Sequence, residues 1–304
     1  GWHCSHYYYS FDRSDVRGLT AEELAIARQE FADVLNASEN GPERLQVSIV
    51  SGHKADFGLM IMDPNPLTID RTHQRLLNTR LGSSLSSTYS FVSVTEISEY
   101  VPTIEQYAAR LVAEGEDEGG PSYEAKINAY KQREPIMRKQ RLTPDFPEWP
   151  ATCFYPMNKI RLPNANWFMM DHPERNKLMS EHARSGMEFA GKVLQLITTS
   201  VGLDDWEWGV TLWARNPEYL KDIVYRMRFD EACRRAAGND LPWSLLIFLN
   251  ESHTRSQKLK RAAKSPREVK RHARARAPHA RAAGCHTACA ARCVEVWGVG
   301  GGVD

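Results

Sequence analysis

Two kinds of apolar pattern, period two and period 3.6, follow one another along this chain in an order that occurs twice. That repetition constrains the fold more than any other feature of the sequence. Trp2 to Phe11 alternates His3, Ser5, Tyr7, Tyr9 and Phe11 against Trp2, Cys4, His6 and Tyr8, which is a strand pattern. Thr20 and Glu23 have the spacing of a capping box, and Leu24, Ala27, Phe31, Val34 and Leu35 follow at helical intervals until Asn40-Gly41. Short strands are predicted over Gln46 to Val50 and Phe57 to Met62, with a turn at Gly52 to Lys54 between them. A helix carrying Ile69, His73, Leu76 and Leu77 and a strand over Tyr89 to Ile97 complete a β-α-β-β-α-β order.

Residues 101–150 break the rhythm. This segment is polar, with an acidic stretch around Glu114 to Gly120, a helical Tyr123 to Arg138 and a proline-rich approach through Pro144, Pro147 and Pro150. It reads as a connector over the two halves, with a mobile acidic loop. The order then resumes. A strand is predicted over Thr152 to Met157, and a helix from Pro173 to about Met187 with Leu178, Met179, His182 and Gly186 on one face. Strands follow over Lys192 to Thr198 and Trp206 to Trp213, around a turn at Gly202 to Asp204, and Pro217 opens a last helix to about Ala232. The closing strand is owed, and Trp243 to Leu249 can supply it. The fold class expected is α+β: two fused ferredoxin-like repeats, 1–100 and 151–250, packed sheet to sheet as an α+β barrel.

Composition sharpens this. With 42% hydrophobic and 25% charged residues the 304-residue chain can bury a large core. The net charge of +1 argues against nucleic acid as principal partner. It conceals an asymmetry: Ser252 to Arg292 holds about a dozen Lys and Arg, many Ala and His and no aromatic residue, a composition that cannot bury a core. Residues 251–304 are therefore expected to be a disordered or frame-shifted tail. No apolar run is long enough to span a bilayer, no leader opens the chain, which begins at Gly1 inside a strand pattern, and the cytoplasm is the expected compartment. Cys4, Cys153 and Cys233 are scattered and give no disulfide framework. Cys285, Cys289 and Cys293 with His286 are spaced unlike the common zinc and iron–sulfur sites.

Several residues stand out chemically. His182 lies one turn from Leu178 and one from Gly186 on an apolar stripe, and two readings stay open: a core histidine bonded to a carbonyl, or a haem-type iron ligand, with Gly186 leaving room for something flat. Tyr155 and Lys159 leave a strand end, followed by Arg161 and Asn166-Trp167. A phenol, an ammonium and a guanidinium together suit carboxylates, but they equally describe a solvated rim. Arg141 carries the same ambiguity, although nearby prolines suggest that it is fixed. Gln195 alternates with Val193 and Ile197, so it is a buried amide bonded to backbone or a neutral hydrogen-bonding group above a metal-bound ligand. Trp206 and Trp208 read as core or pocket wall.

With these residues in view, the chain resembles the chlorite dismutase superfamily and, within it, the coproheme decarboxylases of bacterial haem synthesis. The resemblance rests on GWHCSHYYYSFDR, GHKADFGLMIMDPNP, TYSFVSVTEISEYVPT, KQRLTPDFPEWP, CFYPMNK, EHARSGMEFAGKV and GLDDWEWGVTLW, in order from Gly1 to about Ala232. It implies the duplicated barrel and a reaction in which iron coproporphyrin III and hydrogen peroxide give haem b, two propionates becoming vinyl groups with loss of CO2. The porphyrin is both substrate and redox cofactor. By the same resemblance His182 would be the axial iron ligand, and Tyr155 the residue oxidised to a radical that takes hydrogen from a propionate. Lys159 and Arg141 would hold carboxylates, Trp167 would shape that wall, and Gln195 would face the distal side of the iron. Asp205 or Glu207 is the expected carboxylate behind His182. Chlorite dismutases carry an arginine where Gln195 stands, so a chlorite reading is the weaker one. Relatives form rings, often pentamers.

The resemblance departs after MRFDEA. An aromatic and glycine-rich closing strand is expected there, whereas Cys233 onward reads as a frame-shifted or mispredicted stretch. A non-catalytic haem-binding or haem-transfer barrel is the second reading.

Overall fold

The computed structural model describes residues 1–36, 40–163, 165–236 and 246–249. The first half contains β1 (His3–Phe11), α1 (Arg13–Arg17), α2 (Ala21–Leu35), β2 (Arg44–Val50), β3 (Phe57–Asp63), α3 (Pro66–Leu77) and β4 (Leu85–Thr95). The capping box forms as expected: Glu23 N–H donates to Thr20 Oγ1 at 3.3 Å, and Thr20 N–H to the Glu23 carboxylate at 2.9 Å. Asn65 and Pro66 start α3 in the same spirit, with Leu67 N–H donating to the Asn65 side chain.

The connector has two helices, α4 (Ile104–Ala113) and α5 (Pro121–Leu142), where the sequence suggested one. A second capping box, Thr103 with Gln106, starts the unforeseen helix. Tyr107 stacks on Tyr130 at 4.3 Å to join the pair.

The second half follows with β5 (Ala151–Met157), the short hairpin β6 (Arg161–Leu162) and β7 (Ala165–Asn166), α6 (His172–Met187), β8 (Val193–Thr199) and β9 (Trp208–Ala214). The predicted last helix is broken into α7 (Pro217–Met227) and α8 (Glu231–Ala236), and β10 (Leu246–Leu249) follows. That break places Asp230 on a tight turn, which matters below.

Eight strands close into an antiparallel barrel in the order β1-β3-β2-β10-β5-β9-β8-β4. The owed strand is β10, inserted between β2 and β5 in the register Phe248 to Val50 and Phe248 to Thr152. The basic tail and its cysteines lie outside the described residues.

Alternation along the strands decides which side chains enter the barrel. Side chains that meet across non-adjacent strands must be inside: His6 of β1 bonds Thr211 of β9 at 3.1 Å, and Trp213 of β9 donates to Gln46 of β2 at 2.8 Å. Thr152 and Phe154 of β5 and Leu194, Leu196 and Thr198 of β8 share that face. Gly209 does too, and a Cβ there would lie 2.4 Å from the ring of Phe91, so glycine is required. β3 is buried throughout because both its faces are covered. Phe57, Leu59 and Ile61 pack under α2 and α3, while Met60 and Met62 join Cys4, Leu196 and Trp213. Continuous burial is why its sequence reads as an unbroken apolar run. Outward from β5 and β9, Cys153, Val210 and Leu212 pack against Leu220, Ile223 and Met227 of α7.

Candidate functional site

The candidate site lies where α6, α7 and α8 meet the outer face of the second half-sheet. Asp171 caps α6 by accepting from Glu174 N–H, and Pro173 occupies its first turn. His182 then falls three turns on, half-buried. Its Nδ1 faces Asp230 Oδ2 at 3.1 Å, and Asp230 is only 1% exposed. The second oxygen of that carboxylate accepts from Ser185 Oγ at 2.6 Å and from the Arg226 guanidinium at 3.1 Å. Both oxygens of Asp230 are thus engaged, and its carboxylate orients the imidazole with Nε2 turned away from it. Burial lowers the His182 pKa, with the Asp230 charge opposing, so the ring is biased to the neutral form a metal ligand needs.

This arrangement corrects two expectations. The carboxylate behind His182 is Asp230, and neither Asp205 nor Glu207. Glu207, buried just before β9, instead accepts from Lys159 N–H at 2.8 Å and from the Arg161 guanidinium. Nor does Gly186 leave an open slot, since a Cβ there would meet the Met227 methyl at 3.3 Å. Asp230 and Ser185 escaped sequence reasoning because the pairing spans a long sequence separation and no local periodicity marks it. The broken helix at 228–230 was the available signal.

Lys159 and Trp167 come together as expected. The ammonium sits 4.2 Å from the centroid of the buried Trp167 ring, a cation–π contact. Burial pushes the Lys159 pKa down to about 8, opposed by Cys233 and Glu207. Trp167 packs with Leu178, Ala232 and Tyr100. Tyr155 faces outward from β5 in the cluster beneath α7, and burial raises its phenol pKa, with Cys153 and Cys233 adding to the rise. Cys233 links two of these residues: its Sγ is 3.9 Å from His182 Nδ1, and it packs in the same cluster as Tyr155.

Gln195 lies on the outward face of β8, in register with Leu212, which in turn pairs with Cys153 two residues before Tyr155. Gln195 and Tyr155 therefore share one face of the sheet. Ile197, next on that face, is 36% exposed, so the strand is incompletely covered there. Arg141 is different. It is exposed in the last turn of α5, and no contact among the described residues joins it to Tyr155 or Lys159. Arg161 pairs with Glu207 and lies over Phe168. Trp206 packs in the barrel interior, as the core reading required.

The chemistry of these residues suits an anionic, metal-bearing molecule. An oriented neutral imidazole can serve as a metal ligand. The Lys159 ammonium donates to no carboxylate among the described residues, so it has charge to offer an incoming one. Gln195 provides a neutral polar group on the adjoining sheet face. Among the described residues no group of His, Cys, Asp and Glu forms a metal site of its own, so His182 would be a single protein ligand to a metal that arrives within a larger group. No helix among the described residues is long and apolar enough to cross a membrane.

Known proteins resemble this chain in sequence and in fold. A family model described as chlorite dismutase matches residues 24–242, running past Cys233, where the sequence was expected to leave the family. A coproheme decarboxylase of Oceanobacillus iheyensis is 36% identical over 241 residues, covering 78% of this chain and 88% of the relative. One from Staphylococcus carnosus is 36% identical, covering 77% and 87%. Among solved structures, a heme-binding protein from Thermus thermophilus superposes with a TM-score of 0.63 at 28% identity, covering 82% of this chain and 90% of that one. A mutant chlorite dismutase from Candidatus Nitrospira defluvii gives 0.59 at 18% identity over 81% and 90%, a likeness of fold alone. The chain belongs to the chlorite dismutase family.

Proposed function

We propose that this chain is a coproheme decarboxylase, which uses hydrogen peroxide to convert two propionates of iron coproporphyrin III to vinyl groups and so makes haem b. One observation carries the reading: an imidazole oriented by buried Asp230 and a phenol packed beneath α7 both border Cys233, and the same half carries an ammonium with no carboxylate partner among the described residues. The decarboxylase relatives, 36% identical over most of both chains, support it.

Per propionate, the acid side chain and one H2O2 become a vinyl group, CO2 and two waters. The bound iron porphyrin supplies the redox centre at which peroxide is reduced. His182 would offer Nε2 to the iron, with Asp230 holding the proton on Nδ1. Lys159 binds a propionate carboxylate by a charge-assisted hydrogen bond, with Trp167 walling the same side. Tyr155 gives up its phenolic hydrogen and takes a replacement from the propionate, an exchange that leaves the residue unchanged over the cycle. Gln195 would present an uncharged side chain to the bound group. Its neutral amide has no fixed charge to retain a chlorine oxyanion, which sets chlorite aside as principal substrate. Arg141 would have to swing toward the site on binding to hold a second carboxylate.

To the same proposal belong the division into ferredoxin-like repeats 1–100 and 151–250 with 101–150 as connector, a ring-shaped homo-oligomer such as a pentamer, and a cytoplasmic location. The test is to add iron coproporphyrin III, titrate peroxide and follow the porphyrin by mass spectrometry. Stepwise loss of CO2 plus two hydrogens, twice, is the expected result. Bleaching without those products refutes the reading in favour of haem binding alone, and dioxygen released from chlorite at useful turnover would restore the chlorite alternative.

A further inference from the structure

Lys159 makes a contact that carboxylate binding does not require. Its ammonium rests on the face of Trp167, 4.2 Å from the ring centroid. The backbone beneath it is clamped: Lys159 N–H donates to Glu207 at 2.8 Å, and Glu207 N–H donates to Asn158 Oδ1 at 2.7 Å. Glu207 is further engaged by Arg161. The charge is therefore held over the indole by the loop, with no counter-ion bonded to it among the described residues.

Two oxidisable aromatic groups thus lie in adjoining clusters, Tyr155 packed with Cys233 and Trp167 with Ala232, the chain neighbour of Cys233. Cys233 couples to both Tyr155 and Lys159, and Lys159 covers Trp167. Their oxidations differ in charge. Indole loses one electron with no bond broken and becomes a radical cation. Phenol loses an electron and its O–H proton and becomes a neutral radical. A fixed positive charge on the indole face is attracted to the neutral ring and repels the radical cation, whereas it has far less hold on a neutral phenoxyl.

We propose that Lys159 shields Trp167 from one-electron oxidation and so directs the oxidising equivalent drawn from peroxide to Tyr155. The steering part rests on the decarboxylase reading, while the shielding part does not. Lys159 is then a selector between two aromatic donors as well as a carboxylate ligand.

The experiment compares the parent chain with Lys159→Met, Lys159→Gln and Lys159→Arg. In a first arm, porphyrin-free protein is exposed to photogenerated tris-bipyridine ruthenium(III), and oxygen addition at Trp167 is measured by peptide mass spectrometry against buried Trp213 as internal reference. Both neutral variants should raise Trp167 oxygenation several-fold relative to Trp213, and Lys159→Arg should stay at the parent level. Equal oxygenation in all four proteins overturns the proposal, as does an arginine variant that behaves like the neutral ones. In a second arm, iron coproporphyrin III is bound and peroxide titrated. Trp167 oxygenation should appear in the neutral variants as the Tyr155 radical signal in electron paramagnetic resonance declines. A Tyr155 signal undiminished in those variants overturns the steering. If the parent makes no decarboxylated product, the functional reading fails and the steering with it, whereas the first arm still decides the shielding.

Discussion

Asp230→Asn isolates what the buried carboxylate does for His182, because it changes charge and donor pattern at nearly constant volume. Arg226 and Ser185 both donate to Oδ1, at 3.1 and 2.6 Å. In the variant the guanidinium, which can only donate, requires the amide oxygen on that side. The amide NH2 is then turned toward His182 Nδ1. It donates to that nitrogen and moves the ring proton to Nε2, the atom needed for iron. A comparable tautomer reversal, at constant geometry, accounts for the loss of activity when a triad aspartate is made asparagine. Losing a partner behind a ligating histidine typically costs about 10–100-fold in metal affinity, about 1.4–2.8 kcal/mol. Fold stability should fall by about 1–3 kcal/mol as charge-assisted bonds become neutral ones. The assay is a Soret titration with iron coproporphyrin III, with resonance Raman on the iron–imidazole stretch. A dissociation constant and a stretching frequency both equal to those of the parent chain refute the reasoning.

Three further outcomes are expected. Tyr155→Phe should leave porphyrin affinity unchanged and lower decarboxylation by orders of magnitude, and full activity in a single-turnover peroxide titration would remove Tyr155 from the mechanism. Because burial pulls the Lys159 pKa down to about 8, its ammonium is present below that pH and lost above it. Affinity for a propionate-bearing porphyrin should accordingly decline as pH rises through about 8, and Lys159→Arg should carry the same affinity to higher pH in that titration. His6, buried and stacked on Phe154 at 4.0 Å, has its pKa lowered from 6.5 to about 3. Above 6.5 neither state binds the proton; below it the unfolded chain does and the native chain does not. Stability should fall by roughly 3–5 kcal/mol between those limits, and urea unfolding of His6→Leu should lack that acid-dependent slope.

Most of the fold was legible in the sequence because its elements are patterned locally. The capping box at Thr20 and Glu23 and the alternation of His3 to Phe11 state their own structure. Even the four-residue β10 was legible as WSLLIFL, although the stretch before it departs from the expected closing strand. Less legible was anything fixed by distant pairing. Thr103 and Gln106 were a readable cap that the polarity of the connector obscured. Asp230 could not be matched to His182 from spacing, since only the break between α7 and α8 brings them together. Glu207 is the instructive case: its proximity to the YPMNK loop follows from the register of Met157 with Trp208, which no single-strand pattern reveals. His182, Tyr155, Lys159 and Trp167 stood out in the sequence one by one, whereas the contact of Lys159 with Trp167 required the fold.

The barrel's halves are stitched thinly. Backbone pairing joins them only at Val94 and Thr95 with Thr199 and Thr198 on one side, and at Val50 and Ile49 with Phe248 and Leu249 on the other, among the described residues. Elsewhere side-chain bonds cross, among them His6 to Thr211, Gln46 to Thr152 and Trp213 to Gln46 inside the barrel, and Ser93 to Thr198 and Val92 N–H to Asp204 beside β4. Native-state opening should follow these stitches before it frays either half's own ladder. His182, Tyr155, Lys159, Trp167, Gln195 and Asp230 all ride on the same half, so the molecule can breathe along its seams while these residues keep their arrangement.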